Sequence, residues 1–97
     1  MKKGYWVVVS RAGLDDSTFN AYAALSVPAI QSFGGRFLTM PNSRVQAREA
    51  GQPLRAVVVE FESYDIALKA QASAAYAQAL KALGPAADRD FRIVEGA

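Results

Sequence analysis

Two segments of this chain are apolar on both of the faces a strand would present. Tyr5-Trp6-Val7-Val8-Val9 and Ala56-Val57-Val58-Val59-Glu60-Phe61 are rich in β-branched and aromatic residues, which suit strands. Successive strand side chains point to opposite faces of a sheet. Tyr5, Val7 and Val9 therefore oppose Trp6 and Val8, while Val57, Val59 and Phe61 oppose Ala56 and Val58. Strands of this kind belong at the centre of a sheet with cover on both sides. The chain offers only two helical regions, enough to cover one face.

The first helical region opens at Asp15, Asp16 and Ser17, which suit an N-cap and the positive end of a helix dipole. It places Phe19, Tyr22, Ala23, Ser26, Ile30 and Phe33 near helical spacing. Pro28 is expected to kink this helix or restart it, and Gly34-Gly35 to end it. The second region opens at Ser63 and carries Ile66, Ala67, Ala70, Tyr76, Leu80 and Leu83; Ser73 offers a second cap that divides it, and Gly84-Pro85 stop it. Gly13 is expected to turn the chain after the first strand. Two further strands are expected at Arg36–Met40 and Phe91–Glu95, with a short, poor edge strand at Arg44–Arg48 inside the long polar connection 41–53.

The resulting order is β-α-β-β-α-β, the split βαβ or ferredoxin-like arrangement, an α+β fold with an antiparallel four-stranded sheet in one domain spanning residues 1–97. Its first and third strands are central, in agreement with their apolar faces. The uncovered face would expose valines and aromatics to water, a patch that a second copy packed sheet to sheet removes. The expectation is a homodimer through the exposed sheet face, a dimeric α+β barrel. The alternative is a monomer in which the long loop or a chain end lies over that face. Size points the same way, because a 10.4 kDa chain buries only roughly 64% of its extended surface and is marginal alone.

The chain has no Cys and no His. That excludes disulfides, thiolate nucleophiles, Ser-His-Asp triads, histidine-ligated haem and histidine general bases. The net charge of +2 comes from 11 scattered basic residues against 9 acidic ones, with no basic stripe, so no nucleic-acid partner is expected. No apolar run approaches the roughly 20 residues of a membrane span, and Trp6–Val9 is too short for a signal peptide, so a cytoplasmic protein without membrane contact is expected. Asp15-Asp16 and Asp88/Asp90 make poor metal sites, and no phosphate-loop spacing occurs; no metal and no cofactor are expected.

Several segments resemble a known family. Gly4-Tyr5-Trp6, Tyr22, Pro28 and Phe33-Gly34-Gly35-Arg36-Phe37-Leu38 form one part; Arg55, Val58-Val59-Glu60-Phe61, Ser63, Ser73, Tyr76 and Ile93-Val94-Glu95-Gly96 form the rest. Together they resemble the small bacterial proteins grouped as domain of unknown function 1330, nearly end to end. The resemblance implies a dimeric α+β barrel and brings no established reaction. The chain departs from the usual family pattern at Met40-Pro41-Asn42 and at Ala70-Gln71, positions expected to shape a pocket mouth.

Arg36 and Glu60 are ionisable residues within apolar strands. A register pairing Met40 with Ala56 sets Arg36 opposite Glu60 on one face, as a structural ion pair or as an anion-gripping arginine with a tuned carboxylate. Arg55 is expected to meet solvent or a loop carboxylate, and Trp6 to join the core or the dimer interface. Tyr22 and Tyr76 lie on inward helix stripes and need hydroxyl partners if buried, which Ser26 or Ser73 could supply. The expected binding site is a pocket between sheet and helices using Tyr22, Arg36, Glu60, Ser73 and Tyr76 for a small acidic or aromatic ligand. The alternatives are a cofactor-free monooxygenase or isomerase acting on a phenolic or quinone-like substrate, and a purely structural or partner-binding dimer. No catalytic residue is assigned.

Overall fold

The computed structural model describes residues 2–12 and 15–97, which leaves the turn expected at Gly13 outside the described residues. In chain order the elements are β1 (Gly4–Ala12), α1 (Asp16–Ser32), β2 (Arg36–Phe37), β3 (Ala56–Phe61), α2 (Tyr64–Gln71), α3 (Ala74–Leu83) and β4 (Asp88–Glu95). The sheet runs β2-β3-β1-β4 with every neighbouring pair antiparallel, so the two apolar strands are central as expected.

Caps set the helix starts. The Asp15 carboxylate accepts from the Thr18 N–H at 2.7 Å, and that bond holds its pKa below the ordinary carboxylate value. Ser63 caps α2 through the Ile66 N–H at 3.1 Å, and Ser73 caps α3 through the Tyr76 N–H at 3.2 Å. The second helical region is thus divided at Ser73, as its sequence suggests. The first is not restarted at Pro28: α1 runs through it. Pro28 and Ala24 are both exposed, so water can serve the Ala24 carbonyl that loses its donor.

Trp6, Val8, Val59 and Phe61 point from the sheet toward the helices and form the core with Tyr76, Ala67, Ala70 and Leu83. Trp6 is 1% exposed, donates its indole N–H to the Ala67 carbonyl at 2.9 Å, and has the Phe61, Tyr76 and Phe91 rings within 5.1 Å of its own. It is a core residue. Gly35 lets the chain pass close beneath α1, since a Cβ there would stand 2.5 Å from Ile30 Cγ2 and 2.8 Å from Phe61 Cε1. Its neighbour Gly34 adopts φ +75°, a helix-ending conformation that favours glycine. The Phe-Gly-Gly-Arg-Phe segment is therefore a packing device.

Strand lengths differ from expectation at both sheet edges. β2 is two residues long, because Thr39 takes over from the ladder: its hydroxyl accepts from the Val58 N–H at 2.9 Å and donates to the Ala56 carbonyl at 3.3 Å. No strand forms at residues 44–48. β4 begins at Asp88, three residues earlier than expected.

The second sheet face carries Tyr5, Val7, Val9, Ala56, Val58 and Val94 together with the charged Arg36, Glu60, Asp90 and Arg92, and no helix among the described residues covers it. The chain is a slab with extents of 33 × 33 × 19 Å. It exposes 6147 Å² of surface, against roughly 5,400 Å² for a compact monomer of this mass.

Candidate functional site

Between α1 and the helix-facing side of the sheet lies a cavity of about 230 Å³. Its walls are mostly apolar, with Trp6, Phe19, Tyr22 and Phe37 supplying aromatic surface, and Met40 and Pro41 also line it. Among the described residues, the charged groups lining it are Arg55 and Arg89, and no carboxylate does. A second hollow of about 490 Å³ near the end of α3, lined by Lys81, Pro85 and the other side of Arg89, is an open surface dent. The enclosed, aromatic space is the better ligand site.

Arg89 reaches it through strand parity. Arg89 pairs with Ser10 and Phe91 with Val8, so both project to the helix side. The guanidinium donates to the Tyr22 and Tyr76 hydroxyls, each at 3.3 Å. The two hydroxyls bond one another at 2.7 Å. The guanidinium also stands 5.1 Å from the Tyr22 ring centre and 5.4 Å from that of Phe91. Burial pushes the Tyr76 pKa well above the usual phenol value; neighbouring Tyr22 adds to the rise and Arg89 opposes it. Tyr76 is therefore a neutral hydroxyl at physiological pH, able to donate a hydrogen bond and unsuited to act as a base. Burial works to lower the pKa of Arg89, but Tyr76 and Tyr22 outweigh it, and the net shift is upward. A charged arginine in this half-buried place has no carboxylate within ion-pair range among the described residues.

Arg55 occupies another part of the lining. Its guanidinium lies 4.4 Å over the Phe19 ring centre, and it too has no carboxylate partner among the described residues. Of the two surroundings expected for it, solvent or a loop carboxylate, the described residues provide no carboxylate, and the side chain is half-buried against Phe19.

The five residues expected to share a pocket are divided by the sheet. Tyr22 and Tyr76 meet on the helix side. Arg36 and Glu60 face each other across β2 and β3, as their register implies, but on the open face, where they form an ion pair. Parity is the physical reason: Phe37 pairs with Val59 and points inward, so Arg36 and Glu60 point outward. Arg36 hydrogen-bonds Glu60 and holds its carboxyl below the ordinary range; burial works against this, and the Tyr5 hydroxyl, 3.2 Å away, assists it. Ser73 is a cap, its hydroxyl donating to the Ala70 carbonyl at 2.7 Å while accepting from Tyr76 N–H. It does not line the cavity, whereas Ser26 does.

Arg89 thus stands where Arg36 was expected. The signal for it was present: Arg89, Phe91 and Ile93 recur at the strand period. The expected start of β4 at Phe91 left Arg89 in a loop and hid that period.

The family model for DUF1330, a domain of unknown function, matches residues 3–97. The chain belongs to the DUF1330 family. No curated protein matches it. Among solved structures, a Rhodopseudomonas palustris protein of unknown function superposes with a TM-score of 0.72 at 15% identity, over 99% of this chain and 83% of that one. A dimeric ferredoxin-like protein of unknown function from Thermobifida fusca gives 0.56 at 14% identity, over 97% and 91%. A Caulobacter crescentus protein that carries the provisional name of an antibiotic biosynthesis monooxygenase gives 0.62 at 10% identity, over 99% and 90%. At these identities the likeness establishes the ferredoxin-like fold of this DUF1330 chain. No helix of it is long and apolar enough to cross a membrane, among the residues described.

Proposed function

We propose that this DUF1330 chain is a homodimeric binding protein for a small acidic aromatic ligand, held in the cavity between α1 and the sheet. The observation that carries this reading is Arg89: a half-buried cation, backed by two phenols and without a carboxylate partner among the described residues, in a cavity walled by aromatic rings. An unpaired buried charge is unfavourable, and a bound anion would supply the missing partner through charge-assisted bonds. The cavity is smaller than the roughly 300 Å³ at which drug-sized sites begin, which suits a single ring.

The dimer part of the proposal rests on the open sheet face. Surface exposed beyond that of a compact monomer is roughly 700 Å², close to the ~800 Å² each partner contributes to a standard interface. The Thermobifida fusca protein of the same fold is described as dimeric. In a dimer of this kind the Arg36–Glu60 pair lies in or beside the interface.

Cofactor-free oxygenation is the second reading, favoured by the provisional name of the Caulobacter crescentus protein and by Arg89 beside the Tyr22 hydroxyl in the cavity lining, which suits an enolate oxygen. Such chemistry needs a base to form the substrate carbanion. Glu60 lies across the sheet, and no carboxylate among the described residues lines the cavity. Binding is therefore the stronger reading.

The test is calorimetric titration with benzoate as probe, with native mass spectrometry of the protein as purified. Saturable binding of one benzoate per chain, lost in Arg89→Met, is expected. Absence of binding in the wild type, with no retained small molecule, overturns the proposal. Oxygen uptake with a substituted hydroquinone, abolished in Tyr22→Phe, would favour the enzyme.

A further inference from the structure

The cavity contains two arginines where one would be enough to hold a carboxylate. Arg55 and Arg89 come from different elements, and a row of aromatic rings connects them. Arg55 stacks on Phe19 at 4.4 Å, the Phe19 and Tyr22 ring centres are 6.1 Å apart, and Arg89 stands 5.1 Å from the Tyr22 ring centre. These steps place the guanidiniums no more than about 16 Å apart, with flat apolar surface between them.

The two are held differently. Arg89 is fixed by two phenol hydroxyls and by its place within β4. Arg55 sits just before β3, at the end of the long connection, and its side chain stacks on Phe19 without a hydrogen bond among those the described residues make. Among the described residues none of its five N–H donors is engaged, and its flexible stem lets it leave Phe19 for a nearby anion. With no carboxylate in the lining, two like charges share one low-dielectric space, and a ligand with one negative charge would neutralise only half of it.

We infer that the ligand is a dianion with a flat, single-ring body: one carboxylate on Arg89 and a second acidic group on Arg55. This rests on the binding reading above and names the ligand class for the same cavity. Arg89 is the anchor for any acid, and Arg55 distinguishes two acidic groups from one. Aromatic walls accept a planar ring, and the small volume excludes long or branched diacids.

Calorimetry with benzoate, terephthalate and 4-carboxyphenylacetate tests this on the full chain, at low salt so that screening does not mask the second charge. At least one diacid is expected to bind ten-fold or more tighter than benzoate. Arg55→Gln is expected to weaken that diacid several-fold more than it weakens benzoate, bringing the two to within about three-fold of one another. Circular dichroism of the variant checks that the fold persists. If benzoate binds as tightly as both diacids, or if Arg55→Gln leaves their ratio intact, the dianion inference fails and the binding reading stands. If none of the three binds the wild type, both fail together.

Discussion

Arg89→Met separates an arginine kept for a ligand from one kept for the fold. In the ligand-free chain the guanidinium makes two long hydrogen bonds, both 3.3 Å, to neutral phenols. Bonds from a charged donor contribute about 1.5–3 kcal/mol each, and two as long as these sit at the low end, about 1.5 kcal/mol each. Its contacts with the Tyr22 and Phe91 rings add about 0.5–1 kcal/mol each. Against this stands desolvation, which for an ion inside a protein is still several kcal/mol after relaxation, and about half of that for a half-buried group. The two sides cancel to within about 1 kcal/mol. Methionine keeps an apolar stem and adds about 1 kcal/mol of burial. The Tyr22–Tyr76 bond of 2.7 Å survives, so neither hydroxyl is orphaned. The ligand-free variant is therefore expected to lie within about 1 kcal/mol of the wild type, at roughly 4–8 °C of melting temperature per kcal/mol for a chain of this size. Urea unfolding gives the difference, at one fixed protomer concentration because a dimer's stability depends on it. Both proteins are first unfolded and refolded, since retained ligand would stabilise only the wild type. Benzoate should then raise the wild-type midpoint and leave the variant unmoved. A loss of 2 kcal/mol or more in the ligand-free variant would refute the reasoning and make Arg89 a structural residue.

Val7→Asp places a charge at the centre of the open face, opposite Val58, and should shift sedimentation toward a 10.4 kDa species with the fold retained; Val8→Asp, buried against the helices, should unfold the chain instead. If Val7→Asp stays dimeric, the interface lies elsewhere. A double-mutant cycle of Arg36→Met and Glu60→Gln should show either single change costing more than the pair of changes; a coupling energy of zero would reject the ion pair. Because the folded-state pKa of Glu60 is depressed, its contribution is complete above the ordinary carboxylate range and is lost as pH falls through the depressed value. The stability gap between wild type and Glu60→Gln should close over that acidic window and stay constant through neutral pH. Gly4→Ala would press a Cβ to 2.5 Å from the Ser63 carbonyl oxygen and 2.7 Å from Tyr64 Cα, both backbone, and should cost about 1–3 kcal/mol in urea unfolding. An unchanged midpoint would mean that the α2 entry can yield.

Much of the fold was legible because its signals are local. β-branched runs, caps at Asp15, Ser63 and Ser73, and the Gly34-Gly35 stop each act within a few residues. The errors fell where a distant partner decides. β2 is short because the Thr39 hydroxyl bonds the backbone of β3, and β4 is long because β1 continues to pair with it through Asp88. Pro28 is tolerated because its side of α1 meets water.

The sequence by itself determined the order of elements, the two central strands and the uncovered apolar face, because hydrophobic period and capping chemistry are properties of neighbouring residues. It also identified Tyr22 and Tyr76 as inward-facing. Which arginine joins them was decided only by tertiary structure. Arg36 and Arg89 both sit in edge strands, and one residue of register moves a side chain from one face to the other. Pairing with Glu60 sends Arg36 to the open face, while pairing with Ser10 brings Arg89 beneath the two tyrosines. A cavity likewise has no local code, since it is space left over when α1 lies across the sheet, and no single segment contains the information that a charge inside it will lack a partner.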